Sequence, residues 1–140
     1  MRKTFIAVAL VAIVALVAGP ALAGKPQGAG GKPSGSSTAT LNLSPMDGAT
    51  EARHGGRITF EVRTTATNEP FVGLRCWQGT TWVYDGYVGY FEGAMFDHWF
   101  VLDGLYWQDG EPASCTARLF SYDRRGNEKL IKTLTFPVAP

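Results

Sequence analysis

The chain has 140 residues, with 13 lysines and arginines against 12 aspartates and glutamates. That length holds one domain, and a net charge of +1 points to neither nucleic acid nor an anionic membrane surface as a partner. Outside the first 23 residues no segment repeats apolar residues at the helical period, while aromatic and β-branched residues recur between glycines and prolines. The expected class is therefore all-β.

Residues 1–23 read as a secretory signal peptide. Arg2 and Lys3 give a positive start, Phe5 to Ala18 is an unbroken apolar run, and Gly19-Pro20 ends it before the small-x-small pattern Ala21-Leu22-Ala23. An uncleaved anchor is the alternative, because residues 5–23 approach the roughly 20 apolar residues that span a bilayer. The break at Gly19-Pro20 favours cleavage. No cysteine follows the cleavage site to carry a lipid, and the end Phe136-Pro137-Val138-Ala139-Pro140 offers no second hydrophobic anchor. The expected location is secreted or extracellular, with the cell surface possible, and no membrane insertion after cleavage. Residues 24–37 contain almost only Gly, Lys, Pro, Ser, Gln and Ala. Such a segment buries nothing and predicts a flexible linker.

The folded domain is expected over 38–140. Thr40 to Leu43 alternates as a first strand ended by Pro45, and Asp47-Gly48 and Gly55-Gly56 bracket a loop. Arg57 to Thr65 is the clearest strand: Ile58, Phe60 and Val62 share one face, and Arg57, Thr59, Glu61 and Arg63 the other. After a turn at Asn68-Glu69-Pro70, Phe71 to Gln78 places Val72, Leu74 and Cys76 on one face. Gly79-Thr80 turns the chain into a short strand, Thr81 to Tyr84. Asp-Gly occurs at Asp47-Gly48, Asp85-Gly86, Asp103-Gly104 and Asp109-Gly110, and each predicts a tight turn. Tyr87 to Phe91 and Phe96 to Leu102 are further strands. Ala113 to Tyr122 carries Cys115, Ala117 and Leu119 on one face, and Asp123 to Asn127 closes a hairpin into Lys129 to Val138. Lys132 interrupts the alternation of that last strand, which predicts a bulge or an edge, and Pro137 also fits an edge. Seven or eight short strands with regular turns make an antiparallel β-sandwich.

Cys76 and Cys115 are the only cysteines, both on apolar strand faces. In an exported chain they are expected to form one disulfide, two buried thiols being the alternative. The strands Arg57-Ile58-Thr59-Phe60-Glu61-Val62, Val72-Gly73-Leu74-Arg75-Cys76-Trp77-Gln78-Gly79 and Ala113-Ser114-Cys115-Thr116-Ala117-Arg118-Leu119 resemble the second, third and sixth strands of bacterial secreted immunoglobulin-like or fibronectin-III-like modules. The resemblance covers Thr38 to Pro140 and implies an immunoglobulin-like sandwich. By strand count it also implies that the bridge is cross-strand within one sheet, since the third and sixth strands are neighbours there. Antibody-type domains instead bridge two sheets. Numbering Phe71 to Gln78 as the second strand would restore that arrangement, but the Trp spacing opposes it. If Cys76 faces Cys115, Leu74 faces Ala117 and Val72 faces Leu119 inside, while Arg75 faces Thr116, Gly73 faces Arg118 and Phe71 faces Phe120 outside.

Four tryptophans, Trp77, Trp82, Trp99 and Trp107, lie between the two cysteines. Alternation turns Trp77 outward, on the side of Arg75, Arg118 and Phe120, and these four residues are the expected binding surface. A flat ring beside Arg on a rigid sheet suits a protein anchor or a sugar. Three functions are therefore carried forward: a non-catalytic exported binding or adhesion module with a protein or cell-envelope partner, a carbohydrate-binding module using Trp77, Trp82 or Trp107, and, ranked last, a small hydrolase or enzyme inhibitor. The first predicts that alanine at Trp77 and Phe120 together abolishes binding without unfolding. His54 and His98 have no metal-ligand spacing, and Asp103, Asp109 and Glu111 do not match a calcium loop. Asp97-His98 has no serine on a nucleophile-elbow pattern to complete a triad, and Glu92/Asp97 or Asp109/Glu111 could be drawn as carboxylate pairs that only geometry would promote. The expectation is no catalysis, no metal, no cofactor, no nucleic acid and a monomer.

Overall fold

Seven strands account for the fold, seen here in a computed structural model that describes residues 37–140. Residues 1–23, expected as a signal peptide, and all of the expected linker except Ser37 lie outside the described residues. The strands are β1 (Ala39–Pro45), β2 (Arg57–Thr64), β3 (Phe71–Gln78), β4 (Thr81–Gly89), β5 (Trp99–Val101), β6 (Ala113–Tyr122) and β7 (Glu128–Val138). They form two antiparallel sheets, in the orders β1-β2-β5 and β4-β3-β6-β7. No helix occurs among the described residues.

Period-two alternation builds the core. Ile58 and Phe60 of β2, Val72, Leu74 and Cys76 of β3, and Cys115, Ala117 and Leu119 of β6 all point inward and are buried. Phe60 packs edge-on against Phe100 of β5 and Phe136 of β7, which ties the sheets together. Tyr90, just past β4, adds a polar tie: its hydroxyl accepts from the Phe60 N–H (3.2 Å) and donates to the His98 carbonyl (3.0 Å). Burial raises the Tyr90 phenol above its usual range.

The disulfide joins Cys76 to Cys115 within the four-stranded sheet, with Cα atoms 4.0 Å apart. Such a close approach belongs to a non-hydrogen-bonded antiparallel pair. The register follows the expected one at every pair, from Phe71 opposite Phe120 to Cys76 opposite Cys115. β7 is an edge strand and carries the bulge that Lys132 predicts. Leu119 faces Lys132 and Phe120 faces Leu130, so Ile131 is the extra residue. The Lys132 ammonium donates to the Ala39 carbonyl on β1 (3.0 Å), closing that side of the sandwich.

Three expectations change. β4 runs unbroken from Thr81 to Gly89, so Asp85-Gly86 lies inside a strand and is not a turn. Asp103-Gly104 is likewise no turn centre; the turn there lies at Leu105-Tyr106, with the Trp107 N–H donating to the Gly104 carbonyl (3.2 Å). Asp47-Gly48 does turn, with both φ angles positive, 58° and 76°. The strand expected over Phe96 to Leu102 shortens to Trp99–Val101.

Candidate functional site

The outer face of the four-stranded sheet reads as rows crossing the strands. Trp82 of β4 lies beside Trp77 of β3, which lies beside Ser114 of β6. The next row runs Asp85, Arg75, Thr116, Thr135, and the one after it Tyr87, Gly73, Arg118, Thr133. A last row sets Phe71 beside Phe120. All four residues expected at the binding surface share this face, but they fall into two clusters with Gly73 between them.

The first cluster holds Arg75 and Trp77 with two further residues. The Arg75 guanidinium donates through Nε (3.1 Å) and Nη2 (2.7 Å) to one oxygen of Asp85. Trp77 is half-buried and Trp82 is 50% exposed. Together Arg75, Trp77, Trp82 and Asp85 line an open cleft of about 260 Å³. Tyr106 comes from the loop between β5 and β6 and stacks against Trp82, with centroids 6.3 Å apart and planes 25° apart.

The second cluster is a packed aromatic layer on the outside of the sheet. Phe120 is only 2% exposed. Phe71 stacks on it at 5.8 Å, and Tyr122 meets its edge at 5.4 Å. The Arg118 guanidinium lies 5.9 Å from its ring centroid while pairing with Glu128 (2.9 Å). Gly73 makes this possible, because a Cβ there would stand 3.3 Å from the Phe120 ring. Phe120 is therefore on the expected face but covered, and Arg118 is committed to holding it. This corrects the expected four-residue surface: alanine at Phe120 removes packing, so the double substitution with Trp77 would not leave the fold untouched.

Trp107 is excluded as a surface platform. It is 9% exposed, packs into the inter-sheet core and stacks on His54 at 5.1 Å. The His54 ring has Asp103 and Asp109 at 3.5 Å from its two nitrogens, so these carboxylates converge on an imidazole. Glu111 contributes its backbone carbonyl to Gln78. His98 stacks on Tyr90 at 5.0 Å. No group of three metal-ligating side chains occurs among the described residues.

Sequence reasoning missed Gln78, Asp85 and Tyr106. Gln78 is buried at the end of β3. Its Nε2 donates to the carbonyls of Gln108 (2.9 Å) and Glu111 (2.8 Å), and its Oε1 accepts from the Gln108 N–H (2.8 Å). These three bonds strap the β5–β6 loop to the sheet and so hold Tyr106 near Trp82. A buried glutamine ending an apolar strand was the available signal.

Two other hollows are less suited to a ligand. One of about 410 Å³ lies by the Asp47-Gly48 turn, where Arg57 is already paired with Asp47. That pairing holds the Asp47 carboxyl below its ordinary value. Another, of about 370 Å³, lies between β4 and residues 91–96 and is lined mostly by apolar groups, with little polar chemistry to fix an orientation.

No protein-family model matches the chain, and no curated protein or solved structure matches it either.

Proposed function

We propose that the protein is an exported, non-catalytic binding module of immunoglobulin-like or fibronectin-III-like build, acting on a protein or cell-envelope partner. The strand distribution supports the build. β1, β2 and β5 share one sheet and β3, β6 and β7 the other, as A, B, E and C, F, G do in immunoglobulin constant domains, with the fourth strand beside the third. The leader supports export, and the Cys76–Cys115 bridge fits an oxidising compartment.

The observation that carries the binding reading is the cleft of Arg75, Trp77, Trp82 and Asp85. It sets partly exposed indoles and a hydrogen-bonding ion pair on a rigid sheet. His98, half of the Asp97-His98 pair that a catalytic reading would use, stacks on Tyr90, and His54 lies between two carboxylates on Trp107.

The test is co-sedimentation of the oxidised full chain with the producing organism's cell envelope, alongside capture of its surface proteins. Retention that falls in Trp82→Ala and Arg75→Ala supports the module and its site. Retention unchanged in both variants removes the site. No retention on envelope or proteins removes the reading.

A further inference from the structure

We infer that the cleft between Trp77 and Trp82 holds one ring of a neutral pyranose glycan. This rests on the binding-module reading and names the ligand of the same site. A pyranose presents flat C–H faces and a rim of hydroxyls, each both donor and acceptor. Its site needs aromatic surface beside paired donors and acceptors. Trp77 and Trp82 supply adjacent indoles across the β3–β4 pair, and Tyr106 extends that surface along Trp82.

The ion pair supplies the polar half. Arg75 Nε and Nη2 both donate to Asp85 Oδ2. Arg75 Nη1 and Asp85 Oδ1 have no hydrogen-bond partner among the described residues, which leaves the ion pair one donor group and one acceptor for a ligand. Hydroxyls of one ring can accept from the first and donate to the second. The charges cancel, so the cleft favours an uncharged sugar: a uronate would meet the Asp85 charge as well as Arg75, and could take the Nε/Nη2 edge of Arg75 only by displacing Asp85.

Size sets the scale. The cleft of about 260 Å³ falls below the roughly 300–1,000 Å³ of pockets for drug-sized ligands, so it takes a single ring of a chain. A protein anchor is the poorer fit. A protein hot spot desolvates its polar groups fully, and this ion pair, exposed on an open cleft, would have to give up its water to serve as one.

The oxidised full chain is titrated with hexamers of β-1,4-glucose, β-1,4-N-acetylglucosamine, β-1,3-glucose and α-1,4-glucose, and with a galacturonate oligomer. Tryptophan fluorescence and the indole N–H signals report binding. At least one neutral hexamer should bind saturably with a Kd of about 1 mM or tighter. It should move the Trp77 and Trp82 indole signals and leave Trp107 unmoved. Trp82→Ala and Arg75→Ala should each weaken binding about tenfold or more, with folding checked by circular dichroism. Leu105→Ser, at a side chain 99% exposed and outside the cleft, should not change it. No saturation below about 10 mM by any neutral hexamer, a preference for galacturonate, or binding indifferent to Trp82→Ala overturns the assignment. Retention on envelope or protein that needs Trp82 but is not competed by these sugars overturns the glycan and leaves the module standing. No retention of any kind overturns both.

Discussion

Gln78 gives the sharpest test of how the cleft is held. Its side chain makes three hydrogen bonds to the β5–β6 loop, two as donor and one as acceptor. Each net bond contributes about 1 kcal/mol, and partners left unpaired cost more, so Gln78→Ala should lose about 3 kcal/mol. For a domain whose total stability is on the order of 5–15 kcal/mol that is a large share. It corresponds to a Tm lower by roughly 12–24 °C. Gln78→Glu is nearly isosteric but turns the donor nitrogen into an oxygen facing two carbonyls. At neutral pH it should cost at least as much as the alanine. A buried carboxylate without a cation has a folded-state pKa above the ordinary value of about 4.3. Its stabilising contribution is therefore present below that value and lost as pH rises through the folded pKa. Protonation restores one donor, so the deficit of Gln78→Glu against the wild type should shrink from pH 7 to about pH 4. Urea unfolding of both proteins at the two pH values, with hydrogen exchange of the Gln108 amide, measures this. A deficit below about 0.5 kcal/mol at pH 7, or one that does not change with pH, would refute the reasoning.

Phe120→Ala should cost about 3–5 kcal/mol in urea unfolding, although Phe120 lies on the outer face, because its ring is packed between Phe71 and Tyr122. A loss under about 1 kcal/mol would mean that this layer contributes little packing. Replacing both cysteines with alanine should lower stability by about 4 kcal/mol, given the 39-residue separation of Cys76 and Cys115. Because both sulfurs are buried, thiol labelling of the native protein under reductant should keep pace with global unfolding, and rapid labelling in the folded state would contradict the burial. At the β6–β7 turn, backbone and side-chain hydrogen bonds from Asn127, then the Arg125 N–H, hold the Asp123 carboxyl below its ordinary 3.8. A depressed carboxyl contributes above 3.8 and loses that contribution as pH falls through its folded value. The Arg125 and Asn127 amide resonances should therefore titrate with a midpoint below 3.8; a midpoint at or above it counts against these bonds.

The β3–β6 pairing was legible because two constraints act together. Alternation put Cys76 and Cys115 on apolar faces, and one disulfide between them leaves a single antiparallel register. Every neighbouring pair then follows, including Phe71 with Phe120. Alternation tells which face a side chain takes, but not whether a neighbour covers it. Phe120 was read as surface because its cover comes from Phe71 on another strand and from Tyr122 two residues on. Trp107 illustrates the reverse, being drawn into the core by a loop whose anchor, Gln78, lies 30 residues away in sequence.

Asp85 was illegible for a more specific reason. Across the Gly79-Thr80 turn, Gln78 faces Thr81 and Trp77 faces Trp82. Continued without interruption, that register sets Asp85 opposite Leu74, with its carboxylate aimed at the core. Burying a lone charge there is prohibitive, and Asp85-Gly86 reads as a turn from its residue types alone. The chain instead inserts one extra residue. Val83 has no partner, Cys76 faces Tyr84, and Arg75 faces Asp85. A single-residue shift reverses which face each later side chain takes. It leaves Val83 in the core, turns Tyr84 against it and brings Asp85 out beside Arg75. The same bulge that keeps a carboxylate out of the core thus assembles the polar wall of the cleft, next to the indoles that the uninterrupted register had already paired.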